Sequence, residues 1–169
     1  MDRELRSFND VDTIYEKNLV TVCLKRQREY IADPDGEPKA ESPREIYELL
    51  KAIYDLLSDD QEHLVMLVLN VGNEVSGYKV IASGTQTSGT GDAKIIFRNA
   101  LMLGAAKIVL AHNHPSGSLK PSAQDIAFTE KMIELGRALS LPLVDHVIYT
   151  NKGYFSMRAE NACRFEPFV

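Results

Sequence analysis

Two histidines that follow a short apolar run constrain the fold of this chain more than any other segment. His112 and His114 stand two positions apart, directly after the apolar residues 108–111. Because alternate side chains of an extended strand point the same way, both imidazoles are expected on one side and Asn113 on the other. The segment therefore predicts a short core strand whose end carries two neighbouring imidazoles.

A helix is predicted to begin shortly after the histidines. Pro115, Gly117 and Pro121 lie in the connecting loop, and Ser122 with Asp125 three positions later has the pattern of a helix cap. Taken alone, that pair is explained by capping. Together with the histidines, it offers two imidazoles and one carboxylate to a divalent ion. Three protein ligands leave a fourth position for water, which is typical of a catalytic zinc site.

The whole pattern resembles the signature of the JAMM/MPN+ metalloprotease superfamily. It consists of His-x-His-Pro, six residues, Ser, two residues and Asp, and residues 112–117 with Val144-Asp145-His146 are similar to the RadC branch. The resemblance covers roughly residues 42–155. It implies an α/β domain of the JAB/MPN type, with a cytidine-deaminase-like mixed central sheet flanked by helices.

The resemblance also implies functions for single residues. A Zn²⁺ ion is expected on His112, His114 and Asp125, where it would activate water for hydrolysis of a peptide or isopeptide bond. Ser122 would assist the oxyanion or order that water. Such a zinc metallohydrolase is expected to act on a protein or peptide substrate.

An upstream glutamate is implied as the group that takes the proton of this water. Glu62 occupies its place, after the first helix and at the start of the following strand. Glu74, on the next strand, is the alternative, and an ordinary surface position at a strand edge would also explain Glu62. His63 is expected to point to the opposite face and to be structural. Asp145-His146 either orients a ligand histidine or forms a buried, hydrogen-bonded core pair.

The remaining patterns predict the scaffold. Residues 1–18 are polar and are expected to be a short helix or a loose arm, and residues 84–91 a flexible loop. We predict two parts in the chain: an N-terminal arm with one strand over residues 1–41, and a RadC-like JAB domain over residues 42–169. Hydrophobic periodicity and turn residues predict helices over 42–57, 92–104 and 122–139, and strands over 19–24, 62–70, 74–83, 107–111, 143–150 and 154–157.

Composition bears on partners and compartment. The net charge of −5 weakens a nucleic-acid role, for which only Lys25-Arg26-Gln27-Arg28 is a basic cluster. Longer RadC relatives carry an N-terminal helix-hairpin-helix module, and a short form without it is expected here. Because there is no apolar leader or membrane-length run and cysteine is scarce, we expect a cytoplasmic protein with reduced Cys23 and Cys163.

Three functional hypotheses remain open from the sequence. The first is a zinc hydrolase of peptide or isopeptide bonds. The second is a DNA-repair-associated protein that acts on or binds nucleic acid, and the third is an inactive interaction module that binds a metal. An exposed edge strand at 19–24 would allow pairing with a second copy.

Overall fold

The computed structural model describes residues 4–16, 19–30, 38–54, 61–84 and 91–165. Within these ranges, seven strands form one sheet in the order β2-β1-β4-β3-β5-β6-β7, and three helices accompany it. The fold is mixed α/β, as predicted. The strands are β1 (Glu4–Glu16), β2 (Leu19–Tyr30), β3 (His63–Leu69), β4 (Val75–Ser83), β5 (Lys107–Asn113), β6 (Leu143–Thr150) and β7 (Gly153–Ser156), and the helices are α1 (Pro43–Tyr54), α2 (Ala93–Met102) and α3 (Ala123–Ala138).

The centre of the sheet is buried on both faces, which explains the nearly continuous apolar run of β3. Alternate residues of β3 and β5 enter two different cores. Val65, Leu67 and Val109 pack in the core that contains α1. Met66 and Leu110 pack in the other core with residues of α2 and α3. Each fully buried aliphatic side chain of this kind contributes about 2 kcal/mol to folding.

The N-terminal residues differ from the prediction. Residues 4–16, expected as a short helix or a loose arm, form β1, which pairs antiparallel with β2 over most of its length. β1 also meets β4 in parallel at Ser7 and Tyr78, so both strands extend the main sheet. The strand predicted at 19–24 continues to Tyr30. Main-chain pairing with neighbouring strands determines this structure, and a polar sequence gives little sign of such pairing.

Most other elements are confirmed within one or two residues of their predicted ends. α1 begins at a capping box, where Ser42 Oγ accepts from Glu45 N–H and the Glu45 carboxylate accepts from Ser42 N–H. The predicted end of that helix near 58–60, and most of the predicted loop at 84–91, lie outside the described residues. None of the helices in the described ranges is long and apolar enough to cross a membrane.

The topology brings three chain segments to one edge of the sheet. β5 runs antiparallel to β3 and parallel to β6, and the connection to β6 contains α3. The end of β5 therefore lies beside the start of β3. Because a parallel connection must return along the sheet, α3 begins near the end where β5 finishes. The predicted histidines, the helix cap and Glu62 all belong to these segments.

Candidate metal centre

A tight turn links the end of β5 to the loop before α3. Gly117 N–H donates to the His114 carbonyl oxygen at 2.9 Å, and Gly117 has a positive φ of 74°. Glycine adopts this backbone conformation without the steric penalty of a side chain. The loop then reaches Ser122, which caps α3 with its side chain accepting from Asp125 N–H. The turn and the cap together return the Asp125 carboxylate to the histidines.

The structure brings the three predicted ligands together. His112 Nε2 lies 3.0 Å from His114 Nε2 and 3.4 Å from Asp125 Oδ1, and His114 Nε2 lies 3.8 Å from Asp125 Oδ2. His112 and Asp125 are buried and His114 is partly exposed. One edge of the group is therefore open to solvent. These residues form a group that can hold a metal ion.

The donor atoms fit a tetrahedral zinc ion. Two nitrogens that are each about 2.0–2.1 Å from a tetrahedral zinc are roughly 3.3 Å apart, close to the separations found here. The His114 Nδ1 atom lies 2.8 Å from the Ser118 carbonyl oxygen. A carbonyl only accepts, so Nδ1 carries the ring proton and the Nε2 lone pair faces the other ligands. Two imidazoles with one carboxylate is an established donor set for catalytic zinc.

Asp125 is held in its ionised form. Burial raises the pKa of its carboxyl group, but contacts with His112 and hydrogen bonds from Ser122 outweigh burial and place the pKa well below its usual range. Ser122 donates from both its N–H and its hydroxyl to Asp125 Oδ2, each at 2.7 Å. These bonds occupy Oδ2 and leave Oδ1 directed at His112. A carboxylate that remains charged and oriented is what a metal ligand requires.

Glu62 lies immediately before β3, beside the histidines. The antiparallel register pairs Leu64 with His112, and continued by two residues it sets Glu62 opposite His114. The strand register therefore places Glu62 beside the end of β5 that leads to the histidine ligands. Burial raises the pKa of Glu62 and the Asp125 charge adds to this rise, whereas the nearby His112 and His114 rings lower the pKa; the net direction is upward. A raised pKa brings the group closer to the neutral range in which a proton acceptor works best.

Asn113, between the two histidines, holds the main chain around Glu62. Its Nδ2 donates to the Gln61 carbonyl oxygen at 2.8 Å, and its Oδ1 accepts from His63 N–H at 2.7 Å. Asn113 is 1 % exposed, and its bond to His63 N–H is buried. The sequence predicts only that this side chain points away from the metal ligands. It gives no signal for the contact, which depends on how β3 aligns with β5.

His146 contacts a ligand directly, whereas its neighbour Asp145 does not. His146 Nε2 lies 2.8 Å from His112 Nδ1. Burial lowers the pKa of His146 well below its usual value, so the ring is neutral. The Asp145 carboxylate instead accepts from Ser156 Oγ at 2.5 Å and from Arg158 N–H at 3.0 Å. Of the two alternatives for this pair, His146 is placed to orient a ligand and Asp145 is a buried, hydrogen-bonded residue of the core.

The other candidates have clear positions. Glu74, the alternative proton acceptor, lies at the opposite end of the β3–β4 hairpin, where its carboxylate accepts from Asn70 Nδ2 at 2.6 Å. That alternative is therefore wrong. His63 is buried and its Nδ1 lies 2.7 Å from Ser83 Oγ, in agreement with a structural function.

Comparison with known proteins identifies the family. The model of the RadC-like JAB domain matches residues 40–162. This chain belongs to the RadC-like JAB domain family. The sheet of β3 to β7 with three helices is the JAB/MPN fold that the resemblance predicts, and the resemblance itself is confirmed. The predicted ligands and Glu62 all lie inside the matched RadC-like region.

Relatives of this RadC-like JAB domain carry the name UPF0758 protein. One from Enterococcus faecalis is 44% identical over 101 residues, which is 60% of this chain and 44% of the relative. One from Methanococcoides burtonii is 36% identical over 137 residues, or 81% of this chain and 58% of the relative. One from Carboxydothermus hydrogenoformans is 31% identical over 157 residues, which is 93% of this chain and 69% of the relative. The chain thus spans about half of the length of several relatives.

Proposed function

We propose that this protein is a zinc-dependent hydrolase that cleaves a peptide or isopeptide bond by means of activated water. The observation that supports the proposal is the convergence of His112, His114 and Asp125 beside a partly buried Glu62. A site that only stabilised the fold would be closed by a fourth protein ligand and would need no neighbouring proton acceptor. The superfamily to which JAB domains belong includes many hydrolases, in agreement with this function.

The residues divide the chemistry between them. Bound zinc would supply an electrophile and lower the pKa of a water molecule toward neutrality. Glu62 accepts the proton of the attacking water and transfers it to the amine that leaves. Asp125 is the one negatively charged ligand, so a divalent ion keeps a net positive charge. The raised pKa of Glu62 suits both directions of proton transfer.

We assign two functions to Ser122, orientation of the ligand Asp125 and stabilisation of the oxyanion. In the structure its hydroxyl proton is donated to Asp125 and its oxygen caps α3, so it orients a ligand. To stabilise an oxyanion, the hydroxyl would have to turn from Asp125 toward the substrate. A donor of that kind contributes about 3 kcal/mol to the transition state. The oxyanion function remains a prediction.

The test compares zinc-loaded wild type with Glu62→Gln on defined substrates. A tryptic peptide library from a bacterial lysate and lysine-linked isopeptides are incubated with each protein, and new termini are identified by mass spectrometry. We expect cleavage by wild type, none by Glu62→Gln, and about one zinc per chain in both. Glu130→Gln, an exposed change on α3, serves as the control that retains cleavage. Absence of cleavage by wild type, or equal cleavage by Glu62→Gln, would contradict the proposal.

Nucleic acid is the alternative substrate class. The basic residues 25–28 lie on β2, and their side chains are outside the described part of the structure. Among the described residues, we find no contact that favours DNA over a peptide. Wild type and Glu62→Gln are therefore also incubated with single- and double-stranded DNA. Cleavage of a phosphodiester bond by wild type but not by Glu62→Gln would show that the substrate is a nucleic acid and not a peptide.

A further inference from the structure

Three consecutive hydrogen bonds connect one metal ligand to the main chain of another. His112 Nδ1 contacts His146 Nε2 at 2.8 Å, and His146 Nδ1 contacts Thr129 Oγ1 at 2.5 Å. Thr129 Oγ1 in turn lies 2.7 Å from the Asp125 carbonyl oxygen. We call these two intermediate residues, His146 and Thr129, the relay. Both are almost completely buried, at 1 % and 0 % exposure, so water does not compete for their polar atoms.

The direction of the proton donors follows from the far end of the relay. A carbonyl oxygen only accepts hydrogen bonds, and at 2.7 Å the Asp125 oxygen is a better acceptor than the Met157 sulfur, 3.1 Å from the same hydroxyl, so Thr129 directs its single proton to Asp125. If Thr129 donated to His146 instead, two oxygens would lie 2.7 Å apart with no proton between them. Thr129 therefore accepts from His146, and His146 Nδ1 carries the proton of this neutral ring.

The tautomer of the ligand is then determined. With Nδ1 protonated, His146 Nε2 has a lone pair and accepts from His112 Nδ1–H. The proton of His112 is consequently on Nδ1, and its Nε2 lone pair points at His114 and Asp125. If His146 Nε2–H donated to His112 Nδ1 instead, the proton of the neutral His112 ring would be on Nε2, and that atom could not coordinate a metal. The direction of the hydrogen bond from His112 to His146 thus decides whether His112 is in the tautomer that can bind zinc.

We propose that His146 and Thr129 are positioning residues that hold His112 in its metal-binding tautomer and thereby set the zinc affinity of the site. The proposal rests on the metal site of the proposed function, but it does not depend on which bond is hydrolysed. Residues of this kind typically change metal affinity 10- to 100-fold when they are replaced. The relay also links the two ligands that lie on different elements, β5 and α3.

The decisive variant is Thr129→Val, which removes the hydroxyl and keeps the shape of the side chain. His146 Nδ1–H then loses Thr129 Oγ1 as its acceptor, and the ring proton can move to Nε2. Two N–H groups, His146 Nε2–H and His112 Nδ1–H, would then face each other without an acceptor between them. We expect the zinc dissociation constant of the full chain, measured by competition with a chelating indicator, to rise about 10-fold or more. Thr150→Val is the matched control, because within the described residues this buried hydroxyl forms its hydrogen bonds in the turn at 150–153, away from the metal ligands. Its zinc affinity should equal that of wild type.

A second measurement determines the tautomers of the histidines in the wild-type protein, so it does not require that any variant folds correctly. Long-range proton–nitrogen correlation spectra of the zinc-bound protein should show His112 and His146 each protonated on Nδ1. A proton on Nε2 of His146, or a Thr129→Val protein that binds zinc as wild type does, would overturn the proposal. A wild-type chain that binds no zinc would overturn it as well. Failure to find a hydrolysed substrate would leave these results intact and would count against the proposed function alone.

Discussion

The side-chain amide of Asn113 forms hydrogen bonds to the main chain on both sides of Glu62. It donates to the carbonyl group of Gln61 and accepts from the N–H of His63, so the peptide groups that flank the glutamate cannot move independently of β5. β5 also contains His112, and His114 follows its last residue directly. The proposed proton acceptor and the two histidine ligands are therefore held by one strand end.

Asn113→Asp should reduce hydrolysis and leave zinc binding almost unchanged. A carboxylate can still accept from His63 N–H, but it has no proton for the Gln61 carbonyl and repels it. Glu62 would move, and a displacement of about 1 Å in a reacting group lowers a rate roughly 100-fold. The measurements are zinc content and initial rate on a peptide that wild type cleaves.

Asn99→Asp is the matched control for this prediction. Asn99 is a buried asparagine of α2 whose Nδ2 also donates to a main-chain carbonyl, that of Ile95, at 2.7 Å. A rate loss of equal size in both variants would show that the effect comes from general destabilisation. An unchanged rate in Asn113→Asp would show that the two hydrogen bonds of the Asn113 side chain do not position Glu62.

His114→Ala should remove the metal. With two ligands left, the site has too few donors for stable zinc binding, so we expect about one zinc per chain in wild type and nearly none in the variant. Elemental analysis of the purified proteins measures this. His63→Ala removes a buried histidine that contacts Ser83, and it should keep its zinc. Equal zinc content in wild type and His114→Ala would refute the ligand assignment.

The sequence predicts those parts of the site that depend on local spacing. His112 and His114 share a side because of strand alternation, and Ser122 with Asp125 follows from the capping pattern. Thr129 also had a local signal, since a threonine four residues after Asp125 on a helix can donate to its carbonyl. Contacts between strands do not follow from local spacing, because they depend on register, and the sequence therefore left two alternatives open for Asp145-His146. The approach of His146 to His112 requires that β6 align in parallel with β5, with Leu110 opposite His146.

Cys163 should react slowly with alkylating reagents in the folded protein. Burial, together with the negative charges of Glu130 and Asp145, raises the pKa of this thiol from 9.0 to about 11. At pH 8 that shift lowers the thiolate fraction about 100-fold, and the thiolate is the reactive form. Iodoacetamide labelling of a Cys23→Ser protein measures the rate with and without urea. A native rate equal to the unfolded rate would contradict the burial of Cys163 against Ile126.

Gly136→Ala should destabilise the protein, although alanine has the higher helix propensity. Gly136 lies in α3, and a Cβ atom there would be 2.6 Å from the Leu141 carbonyl oxygen, which belongs to the main chain and cannot turn aside. Propensity alone predicts a gain of about 1 kcal/mol, but a forced shift of packed elements costs about 1–3 kcal/mol. The steric effect should prevail, and the urea midpoint should fall. Gly72→Ala, whose Cβ would meet nothing closer than 3.4 Å, is the control with a nearly unchanged midpoint. A higher midpoint for Gly136→Ala would mean that α3 does not pack this tightly on the start of β6.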